Sequence, residues 1–178
     1  MQISRSLKRI TVIAFSIIAV LALLLYISDI SSRPPKERKI IEGFYAHRAA
    51  YEQLRNMLIV DKELTDVADW GVRTADSPLS KMPPEGGFSV SRYHEYLALL
   101  REIGAKRAGG VSGKNATEIY ILVWSSGFAG DIRHVDIAWL DHEPTNTVSS
   151  LDEFYRSPKP RSPIYRHIEG NWYIWADW

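Results

Sequence analysis

The stretch RHVDIAWLDHE, residues 133–143, carries two histidines, two aspartates and a glutamate. If its first part is extended, His134 and Asp136 share one face at i and i+2, and Asp141, His142 and Glu143 follow in the loop. Imidazoles and carboxylates that converge in this way hold a divalent metal or work as an acid–base pair. The spacing matches no specific ligand motif. His134, Asp136 and His142 are therefore candidate catalytic residues, and the same three with Asp141 are candidate metal ligands. The simpler alternative is a set of solvated polar side chains at a strand end. His47, His94 and His167 are scattered and suggest no shared site.

A second group is aromatic. The chain closes on IEGNWYIWADW, where Trp172, Trp175 and Trp178 lie within seven residues. PIYRHI and WYIWAD flank Gly170 and Asn171, the pattern of a two-residue β-hairpin turn. A simple two-residue register would set Arg166 opposite Trp175, Ile168 opposite Tyr173, His167 opposite Ile174 and Glu169 opposite Trp172. Trp172, Ile174 and Ala176 then make an apolar face for a core. Arg166, Tyr173 and Trp175, with Trp178 at the chain end, are candidate partner-binding residues, because accessible rings beside a cation stack on sugars or anchor peptides. The other tryptophans are expected to fill the core.

The remaining chemistry is sparse. The chain has no cysteine and therefore no thiol nucleophile. No nucleophile elbow, P-loop, dinucleotide fingerprint, HExxH or EF-hand loop is present, so no cofactor is expected. The glycine pairs in AGG, residues 108–110, and GFAG, residues 127–130, read as turn signals.

These residues need elements to position them. Apolar residues at three- and four-residue spacing from Ile40 to Leu58 predict one amphipathic helix over about 36–60, after Pro34 and Pro35. Residues 63–73 predict a short strand bent near Gly71, and the Pro/Gly/Ser-rich residues 74–88 a long loop. RYHEYLALLREI predicts a second helix, capped by Ser89 or Ser91 and ended by Gly104. Strands are expected around 105–111, 118–124 and 132–140, the last two pairing antiparallel. LDEFY is expected to form a helical turn before the closing hairpin.

The N-terminus differs in kind. From Ile10 to Ile27 there is no charge, and such a run at about 1.5 Å per residue covers most of a ~30 Å hydrocarbon core. The expected organisation is a cytoplasmic tail over 1–9, a transmembrane helix over 10–30, a basic Pro-containing linker over 31–39 and an extracytoplasmic domain over 40–178. Membrane attachment would run through residues 10–30. Residues 40–178 hold 15 Lys and Arg against 19 Asp and Glu, a formal charge of −4. That sign gives no electrostatic case for nucleic acid.

FYAHRAAYEQLRNML, RYHEYLALL and YRHIEGNWYIW together resemble small bacterial membrane-anchored or lipoprotein domains of unassigned function. The resemblance implies location and architecture and carries over no active residue. YRHIEGNWYIW is also similar to the last strands of NTF2-like cone folds, which begin with more helices before their sheet.

The expected fold is α+β, with an N-terminal transmembrane helix and two helices packed on an antiparallel sheet of about five to six strands. The expected function is a non-catalytic, single-pass envelope protein of a bacterial inner membrane. Its periplasmic domain would bind a protein, peptide or glycan. The alternatives are a metal-dependent or acid–base hydrolase using His134, Asp136 and His142, and a toxin-immunity protein.

Overall fold

The structure, a computed structural model, describes residues 12–13, 15–23, 33–75, 77–81, 88–112, 117–127, 132–156 and 163–177. The chain divides into two compact units, Met1–Arg33 and Pro34–Trp178. In the first, residues 12–13 and 15–23 are helical and exposed. Among the described residues no helix is long and apolar enough to cross a membrane. This corrects the expected architecture of a transmembrane helix joined to a five- or six-stranded sheet. Residues 10–11, 14 and 24–30 of the expected span lie outside the described residues.

The second unit has four described helices and one sheet. Helix α1, Glu37–Ala46, and helix α2, Arg48–Val60, replace the single helix expected over 36–60. The chain breaks at His47, where φ −121° and ψ 24° interrupt the helical path. Helix α3, Val90–Glu102, starts at Ser89, whose hydroxyl accepts from the Arg92 N–H at 3.0 Å. It stops before Gly104 in the left-handed region at φ +67°, a conformation that favours glycine. Helix α4 is one turn, Leu151–Phe154.

Two polar knots fix the helices. Asp61, just past α2, accepts from Arg92 Nε at 2.8 Å and Tyr96 Oη at 2.9 Å, both on α3. The Glu37 carboxylate accepts from the Leu151 N–H at 2.7 Å, and the Asp152 carboxylate accepts from the Glu37 N–H at 3.1 Å. Helices α1 and α4 thus cap each other, each supplying an anion to the other's unsatisfied N-terminal donors.

Eight strands form the sheet: β1 Leu64–Ala68, β2 Gly71–Thr74, β3 Ser77–Lys81, β4 Arg107–Ser112, β5 Thr117–Ser126, β6 Arg133–Leu140, β7 Ile164–Glu169 and β8 Trp172–Asp177. Their order is β3-β2-β1-β4-β5-β6-β8-β7, with every pairing antiparallel. The expected bent strand at 63–73 is a hairpin, β1 and β2, that turns at Asp69–Trp70. The expected loop over 74–88 contains the edge strand β3; its residues 82–87 lie outside the described residues.

The helices pack on one face only. Phe44, Leu54, Tyr96, Val67, Ile119, Ile121, Val135, Ile137 and Ile174 are fully buried there in one cluster. Trp172 adds its ring beside Phe44 and Tyr51. The opposite face has a smaller apolar set of Ala138, Leu140 and Tyr173, flanked by Tyr120, Tyr165 and Trp175.

Register departs from the simple pattern in the closing hairpin. Glu169 pairs with Trp172 as expected, but the ladder shifts between His167 and Glu169, leaving Ile168 as an extra residue. His167 then faces Tyr173, Arg166 faces Ile174 and Tyr165 faces Trp175. Because side chains alternate with period two, this single insertion moves Arg166 to the helix side.

Candidate functional site

The face away from the helices carries one continuous cross-strand row. Arg107 on β4 pairs with Leu122 on β5, Leu122 with Asp136 on β6, Asp136 with Trp175 on β8, and Trp175 with Tyr165 on β7. A shift in the β5–β6 ladder between Leu122 and Trp124 keeps Leu122 in this row and turns Trp124 toward the core. The sheet thus sets a cation, a carboxyl and an indole side by side at strand spacing.

Among the described residues Asp136 is the one buried charged residue, at 1% exposure. Among the described residues its Oδ2 has no hydrogen-bond partner, and neither has the Trp175 Nε1 donor; both atoms are buried. His134 shares the face, with Nε2 4.0 Å from Asp136 Oδ2 and its ring edge-on to Trp175 at 4.6 Å. Tyr120 packs on Trp175 at 5.1 Å. Burial pushes the Asp136 carboxyl up to about 7, with Arg107 opposing and Asp66 reinforcing the shift. Burial pulls His134 down, partly offset by Asp177.

Asp136 and Trp175 line a cleft of about 180 Å³, whose other wall is Thr65, Asp66, Arg107, Gly109, Gly110 and Val111. Glycine is required at 109: a Cβ there would lie 2.1 Å from the Thr65 carbonyl oxygen. Strand β1 therefore crosses close over β4 and shapes the cleft.

Arg107 also lines a larger cleft of about 780 Å³. This one lies between the Asp69–Trp70 turn, the end of α3 and strands β4–β6. Its floor is apolar, with Leu100 and Leu122, and Arg73, Arg101, Lys106 and Arg107 supply four cations. Among the described residues Asp69 is the one carboxylate in the lining. Asp66 reaches Arg73 at 3.6 Å and Arg107 at 3.4 Å. The guanidinium of Arg73 lies over the Trp70 ring at 4.9 Å. Lys106 Nζ donates to Ser125 Oγ at 2.9 Å. The two carboxylates leave a local cationic surplus in a domain whose overall charge is negative.

The residues singled out in the sequence fall into three places. His134, Asp136 and Trp175 come together on the open face. Asp141 and His142 lie beyond the other end of β6, where His142 Nδ1 is 3.1 Å from Asp141 Oδ1 and Nε2 is 3.5 Å from Glu118. His142 therefore does not join His134 and Asp136, and among the described residues no three His, Asp or Glu side chains gather to hold a metal ion. Arg166 is on the helix side, where Nε donates to Glu37 Oε1 at 2.9 Å. Tyr173 is buried on the open face beside His167 at 5.2 Å. Trp178 lies outside the described residues.

Sequence reasoning missed Arg107, Arg101, Lys106 and Trp70, which are brought together by two segments, around 70 and over 101–107, separated by some thirty residues. One signal was available. Gly109 and Gly110 sit inside a strand rather than a turn, and glycine within a strand marks close backbone approach. Protein-family models, curated proteins and solved structures all yield no match to this chain.

Proposed function

We propose that residues 34–178 form a non-catalytic binding domain whose ligand presents a carboxylate to the cleft between the end of α3, the β1–β2 turn and β4. One observation carries this reading: Arg73, Arg101, Lys106 and Arg107 surround an apolar cleft of about 780 Å³ in a domain of opposite overall sign. Such focusing of one charge over a low-dielectric wall attracts a counter-charged group. Trp70 and Ile132, both exposed at the rim, supply apolar surface for the rest of the ligand.

The test is a calorimetric titration of the full chain with simple ring carboxylates, repeated for the double variant R101E/K106E. We expect binding that weakens at least tenfold in the variant and with added salt. Wild-type protein with no affinity for any carboxylate would overturn the reading.

A second reading, acid–base hydrolysis, is favoured by the Asp136 carboxyl held near neutrality beside His134. Turnover of a carboxylate ester by the full chain, lost in D136N and retained in H142A, would move the assignment to it.

A further inference from the structure

The open face has two kinds of recognition group in one line, and the reading above uses only one of them. At the cation end, Arg107 lines both clefts. At the far end, Asp136 Oδ2 and Trp175 Nε1 are buried and have no partner among the described residues. A buried polar atom left unpaired is costly, and two of opposite capacity on paired residues are rare by chance. An indole N–H only donates, whereas a carboxyl accepts, and also donates when protonated.

One ligand hydroxyl placed between the two atoms would complement both, accepting from the indole and exchanging a hydrogen bond with the carboxyl. The cleft that both residues line is about 180 Å³, space for several waters or one small ring. Arg107 and Asp136 are two strand spacings apart, about 10 Å between backbones, and both line this cleft. A ligand that reaches both therefore carries its carboxylate and its hydroxyl on one compact framework. The rings of Trp175 and Tyr120 add the apolar surface on which the C–H face of a sugar packs.

We infer that the ligand is an acidic monosaccharide unit, with its carboxylate on Arg107 and a ring hydroxyl shared between the Asp136 carboxyl and the Trp175 N–H. This inference rests on the anion-binding reading above and adds the identity of the ligand's second group. It also limits the size of what enters the inner cleft to one ring.

The test is equilibrium binding of the full chain to galacturonate, glucuronate, galactose and cyclohexanecarboxylate, followed by calorimetry. One or both uronates are expected to bind at least tenfold more tightly than cyclohexanecarboxylate, with galactose weaker than either uronate. W175F keeps a ring and removes the donor, and D136N keeps the shape and removes the acid. Each is expected to bring uronate affinity down toward that of cyclohexanecarboxylate while leaving the latter's own affinity unchanged. Equal binding of uronates and cyclohexanecarboxylate would overturn this inference and leave the anion-binding reading standing. So would uronate affinity that is the same in wild type and both variants. Failure of every carboxylate to bind would overturn both.

Discussion

Asp136 on β6 and Trp175 on β8 stand directly opposite each other, and each buries a polar atom that no other described residue satisfies. The pair lies on the sheet face that the helices leave open. Arg107 approaches from β4, Asp66 from β1 and His134 from the same strand as Asp136.

The Asp136 carboxyl gives stability a pH signature. Its folded value is about 7, whereas in the unfolded chain it titrates near 3.9. Between these values the folded protein holds a proton that the unfolded one has released. The contribution is therefore fully present below about pH 4 and is lost as pH rises through 7, by on the order of 2–4 kcal/mol. His134 acts oppositely: its lowered value makes stability fall as pH drops below about 6.5. Tyr120, pushed upward, brings no charge in this range. We expect urea unfolding to show that D136N removes a loss of stability between pH 5 and 7.5. An identical pH slope in wild type and variant would mean the carboxyl ionises normally.

Gly109 is held by the Thr65 carbonyl, 2.1 Å from where a Cβ would be. Backbone cannot yield as a flexible side chain does, so G109A must push β1 off β4. We expect a loss of about 1–3 kcal/mol in chemical denaturation. Because Thr65 and Gly109 line the inner cleft, affinity for carboxylates should fall as well.

Glu37 and Asp152 cap each other's helices from positions far apart in the chain. Removing either carboxylate orphans a helix N-terminal donor, so E37A and D152A should each cost about 1–2 kcal/mol. E37A also strips Arg166 of its partner. In a double-mutant cycle the two losses should add to more than the double variant shows, a coupling of about 0.5–1 kcal/mol or more. Strict additivity would mean the two caps act independently.

Arg166 and Lys106 separate stability from binding. R166A should destabilise the fold by about 1–3 kcal/mol through loss of its link to Glu37, and leave carboxylate affinity unchanged. K106E should change thermal stability by less than about 0.5 kcal/mol, since the residue is exposed, and weaken carboxylate binding severalfold. A reversed pattern would return Arg166 to the binding surface.

Much of the second unit follows from local pattern. The alternation in IRHVDIAWL places His134 and Asp136 together and Val135 and Ile137 on the other face, as the structure has them. Helix α3, its Ser89 cap and its stop at Gly104 are likewise local. Trp172, Ile174 and Ala176 enter the core as their spacing implies. The helix break at His47, the short edge strand β3 and the β1–β2 hairpin were not legible, because weak local signals there are resolved by what the chain packs against.

The amino-acid sequence by itself determined which side chains share a face within a strand or helix, since periods of two and 3.6 residues are properties of the backbone. It therefore determined that His134 and Asp136 point the same way, and that Trp172 points away from Trp175. The tertiary structure decided which faces meet. One extra residue at Ile168 turned Arg166 from Trp175 to Glu37. The pairing of β4, β5, β6 and β8 aligned Arg107, Leu122, Asp136 and Trp175 into a single row. Register and strand order arise from contacts between distant segments, so no local period encodes them.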